Sequence, residues 1–226
     1  MWDKDSGVRS RAMGQAREQD CASAAAEQRA AQRYALMLRA GKLVCDGQEF
    51  LCILRDASAT GFKARLFHNL PKGAAYELEL GNGTRYAVEP VWERDDHAGF
   101  QFCGGTVDVH ALLEETNQYP RRQIRLKLQL PILVEAHGIT RGALLRDLSQ
   151  HGALIESDIV LALRQPLLIE AEGLPPLAGR VRWRRGTAHG VVFHTGFRLD
   201  ELATLAARLQ LAGLVQPAAR PASGRG

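Results

Sequence analysis

Residues 146–152 read RDLSQHG and residues 55–61 read RDASATG, so the pattern Arg-Asp-x-Ser-x-x-Gly occurs twice in this chain. Each copy follows one apolar run and precedes another. Asp and Ser side chains hydrogen-bond nearby backbone, and Gly tolerates a positive φ, so the pattern alone predicts a tight turn between two strands. Whether this turn is purely structural or also binds a ligand depends on the residues that precede it.

The two copies belong to a longer internal repeat. A shift of 91 residues produces ten identities on one diagonal, namely Gly47/Gly138, Leu54/Leu145, Arg55/Arg146, Asp56/Asp147, Ser58/Ser149, Gly61/Gly152, Trp92/Trp183, Arg94/Arg185, Gly99/Gly190 and Phe102/Phe193. A shift of 92 residues aligns Arg29 with Arg121 and Arg33 with Arg125. Because most of these residues are rare or structurally special, the sequence predicts two copies of one unit.

Each unit is expected to be all-β. Short apolar runs alternate with turn signals such as Asp46-Gly47, and residues 76–80 alternate apolar and acidic side chains as a half-buried strand does. Residues 126–134 alternate in the same way, with Pro131 indicating an edge strand. About six such strands per unit predict a small barrel or sandwich.

A helix is expected after each set of strands. Residues 107–118 have a helical pattern that Pro120 ends, and residues 199–211 carry leucines at helical spacing with Gly213 just beyond. The leucine face of this last helix is expected to cover its own barrel or, alternatively, to form a homodimer. The predicted boundaries are as follows: a disordered tail over 1–24, a first barrel over 25–104, a connecting helix or linker over 105–119, a second barrel with its helix over 120–212, and a disordered tail over 213–226.

Composition narrows the class of protein. Hydrophobic residues make up 46% of the 226 residues and charged residues 24%, which is typical of a globular chain. The net charge of +4 is spread along the chain, so it suits an anionic ligand better than nucleic acid. No apolar run approaches the roughly 20 residues of a membrane span, and no secretory signal is recognisable, so we expect a cytoplasmic protein without membrane insertion. The four cysteines are then expected to be reduced thiols, although Cys45 and Cys52 flank one hairpin turn and could face each other.

A second motif precedes each turn. An Arg-x-x-x-Arg pair lies ahead of each Asp, Arg29 and Arg33 in the first unit and Arg121 and Arg125 in the second. A guanidinium group pairs with phosphate oxygens and with the guanine edge, and it stacks on bases. The carboxylate can accept from guanine N–H groups, while a hydroxyl and turn amides can hold phosphate. Together these groups indicate a site for a guanine nucleotide.

Arg-x-x-x-Arg followed by Asp-x-Ser-x-x-Gly, a Trp and a closing Gly-x-x-Phe strand resembles the PilZ domain family over about residues 27–103 and 119–211. The resemblance implies an all-β fold with two tandem six-stranded antiparallel β-barrels, and it implies binding of cyclic di-GMP, a bacterial second messenger. The ligand-binding residues that it implies are Arg29, Arg33, Asp56, Ser58 and Gly61 in the first copy, and Arg121, Arg122, Arg125, Asp147, Ser149 and Gly152 in the second. The second copy is closer to the family pattern, so it is the better candidate if only one copy binds.

The function that this resemblance implies is a cyclic di-GMP receptor rather than an enzyme. We expect the ligand to order the arginine arms, to change the geometry between the barrels and thereby to signal to a downstream protein. The alternative is a scaffold or interaction module of the same fold that no longer binds. No cofactor, metal site or catalytic triad is expected, because no Cys/His cluster or nucleophile elbow accompanies the histidines. Trp92 and Trp183 are expected to be core anchors rather than base-stacking platforms.

Overall fold

The computed structural model describes residues 34–71, 75–113 and 123–213. The predicted tails apart from Gly213, residues 25–33 of the predicted first barrel and residues 114–119 of the predicted linker therefore lie outside the described residues. None of the described helices is long and apolar enough to cross a membrane.

The first repeat unit folds into a closed barrel of six antiparallel strands in the order β1-β2-β3-β6-β5-β4. Pairing of β1 with β4 closes the barrel. The strands are β1 (Tyr34–Cys45), β2 (Gln48–Ser58), β3 (Gly61–Arg65), β4 (Tyr76–Leu80), β5 (Arg85–Arg94) and β6 (His97–Phe102).

The second unit repeats this topology, with the order β7-β8-β9-β12-β11-β10 and closure between β7 and β10. Its strands are β7 (Leu126–Ala136), β8 (Ile139–Ser149), β9 (Gly152–Glu156), β10 (Pro166–Ala171), β11 (Leu174–Arg185) and β12 (Ala188–Phe193). The predicted duplication of one all-β unit is confirmed, and of the two architectures left open it is the barrel.

The expectation of a helix after each barrel is supported only for the second barrel. After the first barrel the structure describes one helical turn, α1 (Val109–Leu113), and residues 114–122 are outside the described residues. After the second barrel, α2 (Leu199–Leu211) has the predicted bounds. The carboxylate of Glu201 accepts a hydrogen bond from the Arg198 N–H at the start of α2, and Gly213 follows its end at φ +69°.

Each barrel has its own apolar core, filled by alternate residues of its strands. In β7 the inward residues are those predicted: Leu126, Leu128, Leu130, Ile132 and Val134 are all buried. Pro131 does not mark a free edge, because the barrel is closed. It lies instead where β7 pairs with β8 but not with β10, whose pairing starts at Leu133.

Helix α2 joins the two barrels. Its leucine face is buried in the core of the second barrel, as the first of the two alternatives expected. Ala207 on another face packs into the core of the first barrel, and Leu51 of β2 packs into the core of the second. The two barrels therefore share a packed contact made by α2, the start of β2 and β7.

The cysteine pairing considered from the sequence does not occur. Cys45 lies opposite Gln48 and Cys52 lies opposite Gly41, so the two thiols do not face each other across the hairpin. Both are free and buried. Burial raises the pKa of the Cys52 thiol to about 12, despite the opposing effect of a hydrogen bond with the Gly41 backbone.

Candidate ligand site

Four β-bulges occur at equivalent positions of the two barrels. In the first barrel they fall between Leu54 and Asp56 and between Pro90 and Trp92; in the second they fall between Leu145 and Asp147 and between Val181 and Trp183. An extra residue shifts the alternation of inward and outward side chains. Leu145 and Val181 face the core, and strict alternation would turn the residue two positions later inward as well. The bulges turn the Asp and the Trp outward instead.

The outward Asp and Trp lie on one transverse row in each barrel. The row is Asp147, Leu154, Gly190 and Trp183 in the second barrel, and Asp56, Lys63, Gly99 and Trp92 in the first. Residues opposite each other on neighbouring strands point to the same face. With strands about 4.8 Å apart, the row spans about 14 Å from the Asp backbone to the Trp backbone.

The interpretation of Trp92 and Trp183 as core anchors is wrong. Their side chains lie on the outer surface, with 44% and 45% of their area exposed. Each indole covers a glycine on the next strand, Gly99 or Gly190, where a Cβ atom would overlap the indole Nε1. The sequence signal for this contact was the repeat of a Trp and a Gly seven residues apart in both units. The bulge that turns each Trp outward was not recognisable from the sequence.

In the second copy the structure brings the two motifs together. The Arg125 Nη1 atom donates to the Asp147 Oδ1 atom at 2.6 Å. Half of the Arg125 side chain remains exposed, whereas the Asp147 side chain is 18% exposed. A second hydrogen bond connects the same two segments: Gln123 Nε2 donates to His151 Nδ1 at 2.7 Å. Residues 123–125 therefore lie over the Asp-x-Ser-x-x-Gly turn, while Arg121 and Arg122 fall outside the described residues.

The serine of each turn donates a hydrogen bond within its own turn. The buried Ser149 hydroxyl donates to the Gly152 carbonyl at 2.9 Å, and the Ser58 hydroxyl donates to the Gly61 carbonyl at 3.3 Å. These bonds close the turns between β8 and β9 and between β2 and β3.

The glycines of the turns are needed for close packing rather than for a positive φ, which neither of them has. A Cβ atom at Gly61 would overlap the Phe100 carbonyl oxygen, and one at Gly152 would overlap the equivalent Val191 oxygen. The expectation that these glycines have a positive φ is thus wrong.

In the first copy, Asp56, Ser58 and Gly61 line an open groove of about 300 Å³ together with Lys63 and Trp92. Lys63 lies opposite Asp56 in the row, where the second barrel has Leu154. At this position of the row the first barrel therefore has a cationic side chain and the second an apolar one. Arg29 and Arg33 lie outside the described residues, so the structure does not place them relative to Asp56.

The family model of the PilZ domain matches residues 118–215, which include all six strands of the second barrel and α2. Over these residues the second barrel is similar to a PilZ domain. The match does not extend to the first barrel, which shares the strand order, the four-residue row and the repeat identities with the second. No curated protein matches the chain.

Solved structures to which this chain is similar include PlzA of Borreliella burgdorferi in complex with cyclic di-GMP, with 14% identity over 75% of this chain and 86% of that chain and a TM-score of 0.33. MrkH of K. pneumonia in its cyclic di-GMP complex has 12% identity over 78% and 87%, with a TM-score of 0.30. YcgR of Escherichia coli with cyclic di-GMP has 13% identity over 77% and 82%, with a TM-score of 0.27. With TM-scores this low, none of these likenesses supports an argument about the site.

Proposed function

We propose that this protein is a receptor for cyclic di-GMP and that its second barrel binds the ligand. The observation that carries the proposal is the contact between Arg125 and Asp147, which joins two motifs 22 residues apart in the sequence. An exposed ion pair contributes only about 0–1 kcal/mol to stability, so folding alone gives little reason for this arrangement. Its half-exposed guanidinium is suitably placed to bind an anionic, planar ligand.

The row of the second barrel and the arginines that precede it have the chemistry that a cyclic guanine dinucleotide requires. Arg121, Arg122 and Arg125 supply guanidinium groups for phosphate oxygens and for the guanine edge. Asp147 can accept from a guanine N–H group, and the exposed indole of Trp183 offers a stacking surface at the far end of the row. Each charge-assisted hydrogen bond is worth about 1.5–3 kcal/mol. A few of them account for the roughly −8 kcal/mol of micromolar affinity after the cost of ordering the arm.

The first barrel is proposed to hold an additional binding site, called the first site, while the site in the second barrel is called the second site. Arg29 and Arg33 correspond to the second arginine pair, and Asp56 lines a groove that Trp92 also borders. Lys63 adds positive charge there, which also suits an anionic ligand.

The proposed signal is a change in how the two barrels contact each other. The second arginine pair belongs to the chain segment that joins the barrels, so a ligand held by Arg121 and Arg125 also holds that segment. Small-angle scattering with saturating cyclic di-GMP should differ from scattering of the free protein. Identical profiles would contradict the change in interdomain geometry while leaving binding intact.

Calorimetry tests the receptor function directly. Titration of cyclic di-GMP into the wild type should show two binding events. Arg33→Ala should lose the event in the first barrel, and Arg125→Ala should lose the event in the second barrel. No binding heat at any temperature would leave the alternative, an interaction module of the same fold.

A further inference from the structure

A buried ion cluster lies on the first barrel at its contact with the second. The Lys42 ammonium is 2.6 Å from Glu79 Oε1 and 3.0 Å from Glu49 Oε2. Lys42 and Glu49 are 6% and 3% exposed, respectively. Burying such charges is costly unless they are paired and hydrogen-bonded, so the neighbours of this pair indicate what it does.

Two of those neighbours are backbone groups at the start of β7. Lys42 Nζ donates to the Arg125 carbonyl at 3.3 Å, and Glu49 Oε2 accepts from the Lys127 N–H at 2.9 Å. Lys42 and Glu49 thus hydrogen-bond to the backbone on both sides of residue 126. Lys127 is also the residue opposite Asp147 in the pairing of β7 with β8. The first barrel therefore holds the backbone from which the Arg125 side chain reaches Asp147.

Helix α2 holds the other side of the cluster. The Glu49 N–H donates to Gln210 Oε1 at 2.8 Å, and Gln210 Nε2 donates to the Glu49 carbonyl at 2.8 Å. Gln210 is itself only 2% exposed. Glu49 is thereby fixed by its backbone to the helix of the second barrel and by its side chain to β7 of the same barrel.

The internal repeat provides a comparison. The positions equivalent to Lys42 and Glu49 in the second barrel are Leu133 and Thr140. They pair with the equivalent residues of the neighbouring strand, and both are exposed. The barrel therefore folds without an ion pair at these positions. The role of the Lys42–Glu49 pair lies in its contacts outside its own barrel.

We infer that Lys42 and Glu49 are positioning residues for the second ligand site: they fix the backbone at Arg125, so that the first barrel sets the affinity of the second. The inference rests on the proposed function, since it concerns the same site. By linkage, ligand at the second site then strengthens the contact between the barrels by the same factor.

The test replaces the pair by the residues of the equivalent positions, Lys42→Leu with Glu49→Thr. Arg85 Nη2, 2.6 Å from Glu79, keeps that carboxylate paired in the variant. Calorimetry with cyclic di-GMP is done in an Arg33→Ala background for the second site and in an Arg125→Ala background for the first. We expect second-site affinity to fall on the order of tenfold and first-site affinity to stay unchanged. Lys42→Arg, which keeps the donor, should stay within about twofold of the wild type at the second site.

The matched control is Glu77→Gln, which removes an exposed partner of Arg85 on the same barrel and leaves the β7 contacts intact. It should bind like the wild type. A folded double variant with wild-type affinity at the second site overturns the inference, and so does an equal loss at both sites, which indicates general destabilisation. If the double variant does not fold, Glu49→Ala, which removes the acceptor of the Lys127 N–H, decides in its place, with a second-site loss supporting the inference and unchanged affinity contradicting it.

Failure of the proposed function is recognised separately, because the wild type then binds nothing. Amide hydrogen exchange of Lys127 still tests the contact without ligand. Exchange at Lys127 that is slow in the wild type and fast in the double variant supports the positioning contact, and equal rates contradict it.

Discussion

Asp147 and Trp183 lie at opposite ends of one row of residues that crosses four strands of the second barrel. A β-bulge next to each of them turns its side chain to the outer surface. Gly190, between them, leaves room for the indole to lie flat along the row. An acidic group and an aromatic surface are thus held on rigid strands about 14 Å apart, with the Arg125 guanidinium at the acidic end.

Replacing Arg125 should separate binding from stability. Arg125→Ala removes a half-exposed ion pair, so we expect the free energy of unfolding to change by less than about 1 kcal/mol. Second-site affinity for cyclic di-GMP should fall at least about tenfold, and Arg125→Lys should recover little of it, because an ammonium group lacks the planar fork. Urea denaturation and calorimetry measure the two quantities. Arg141→Ala, at an exposed arginine of β8, is the control and should change neither.

The Trp183 indole should leave the barrel surface in Gly190→Ala. The new methyl group overlaps the indole, whose exposed ring can swing away, so the unfolding free energy should drop by only about 1 kcal/mol. Tryptophan emission should shift to longer wavelength, and second-site affinity should decrease. Gly142→Ala, at a strand glycine with open space around it, should leave emission and affinity unchanged. An unshifted spectrum in Gly190→Ala would contradict the placement of the indole.

Gly152→Ala should be far more damaging. Its methyl group would overlap the Val191 carbonyl oxygen, which belongs to a paired strand and cannot swing aside. We expect a loss of more than about 2 kcal/mol in the free energy of unfolding, measured by urea denaturation. A loss as small as that of Gly142→Ala would show that β9 and β12 are further apart than described.

Acid should weaken the ion pairs that Glu79 makes with Lys42 and Arg85 in the first barrel. Burial alone would raise the pKa of Glu79, but hydrogen bonds and charge from Lys42 and Arg85 outweigh it, and the pKa lies below its usual value near 4.5. A carboxylate with a lowered pKa stabilises the fold above its unfolded-state pKa, and this stabilisation is lost as the pH falls through the folded-state pKa. Wild type should therefore have a higher Tm than Glu79→Gln at pH 7, and the gap should narrow below about pH 4.5. A gap that is constant from pH 7 to pH 3 would contradict this account.

The sequence predicted the strands well because each has a strong local signal. The alternation in β7 and the leucine spacing in α2 required no tertiary information, and α2 was predicted with its observed bounds. Prediction failed where a bulge changed the phase of alternation, as at Trp183, because a bulge depends on the partner strand and leaves no mark in the strand's own sequence. The Lys42–Glu49 pair at the contact between the barrels was not recognised either, since charged residues on a strand normally indicate a solvent-facing side.

The amino-acid sequence by itself determined the duplication, the all-β class and the two motifs of the candidate site, because periodicity and repeated residues are properties of the chain. Only the tertiary structure decided which side chains meet. The contact of Arg125 with Asp147, the exposed tryptophans and the first barrel's hold on β7 all join residues that are distant in the sequence. Such contacts depend on strand register and on how the barrels pack, and both are set by the burial of the whole core rather than by any local pattern.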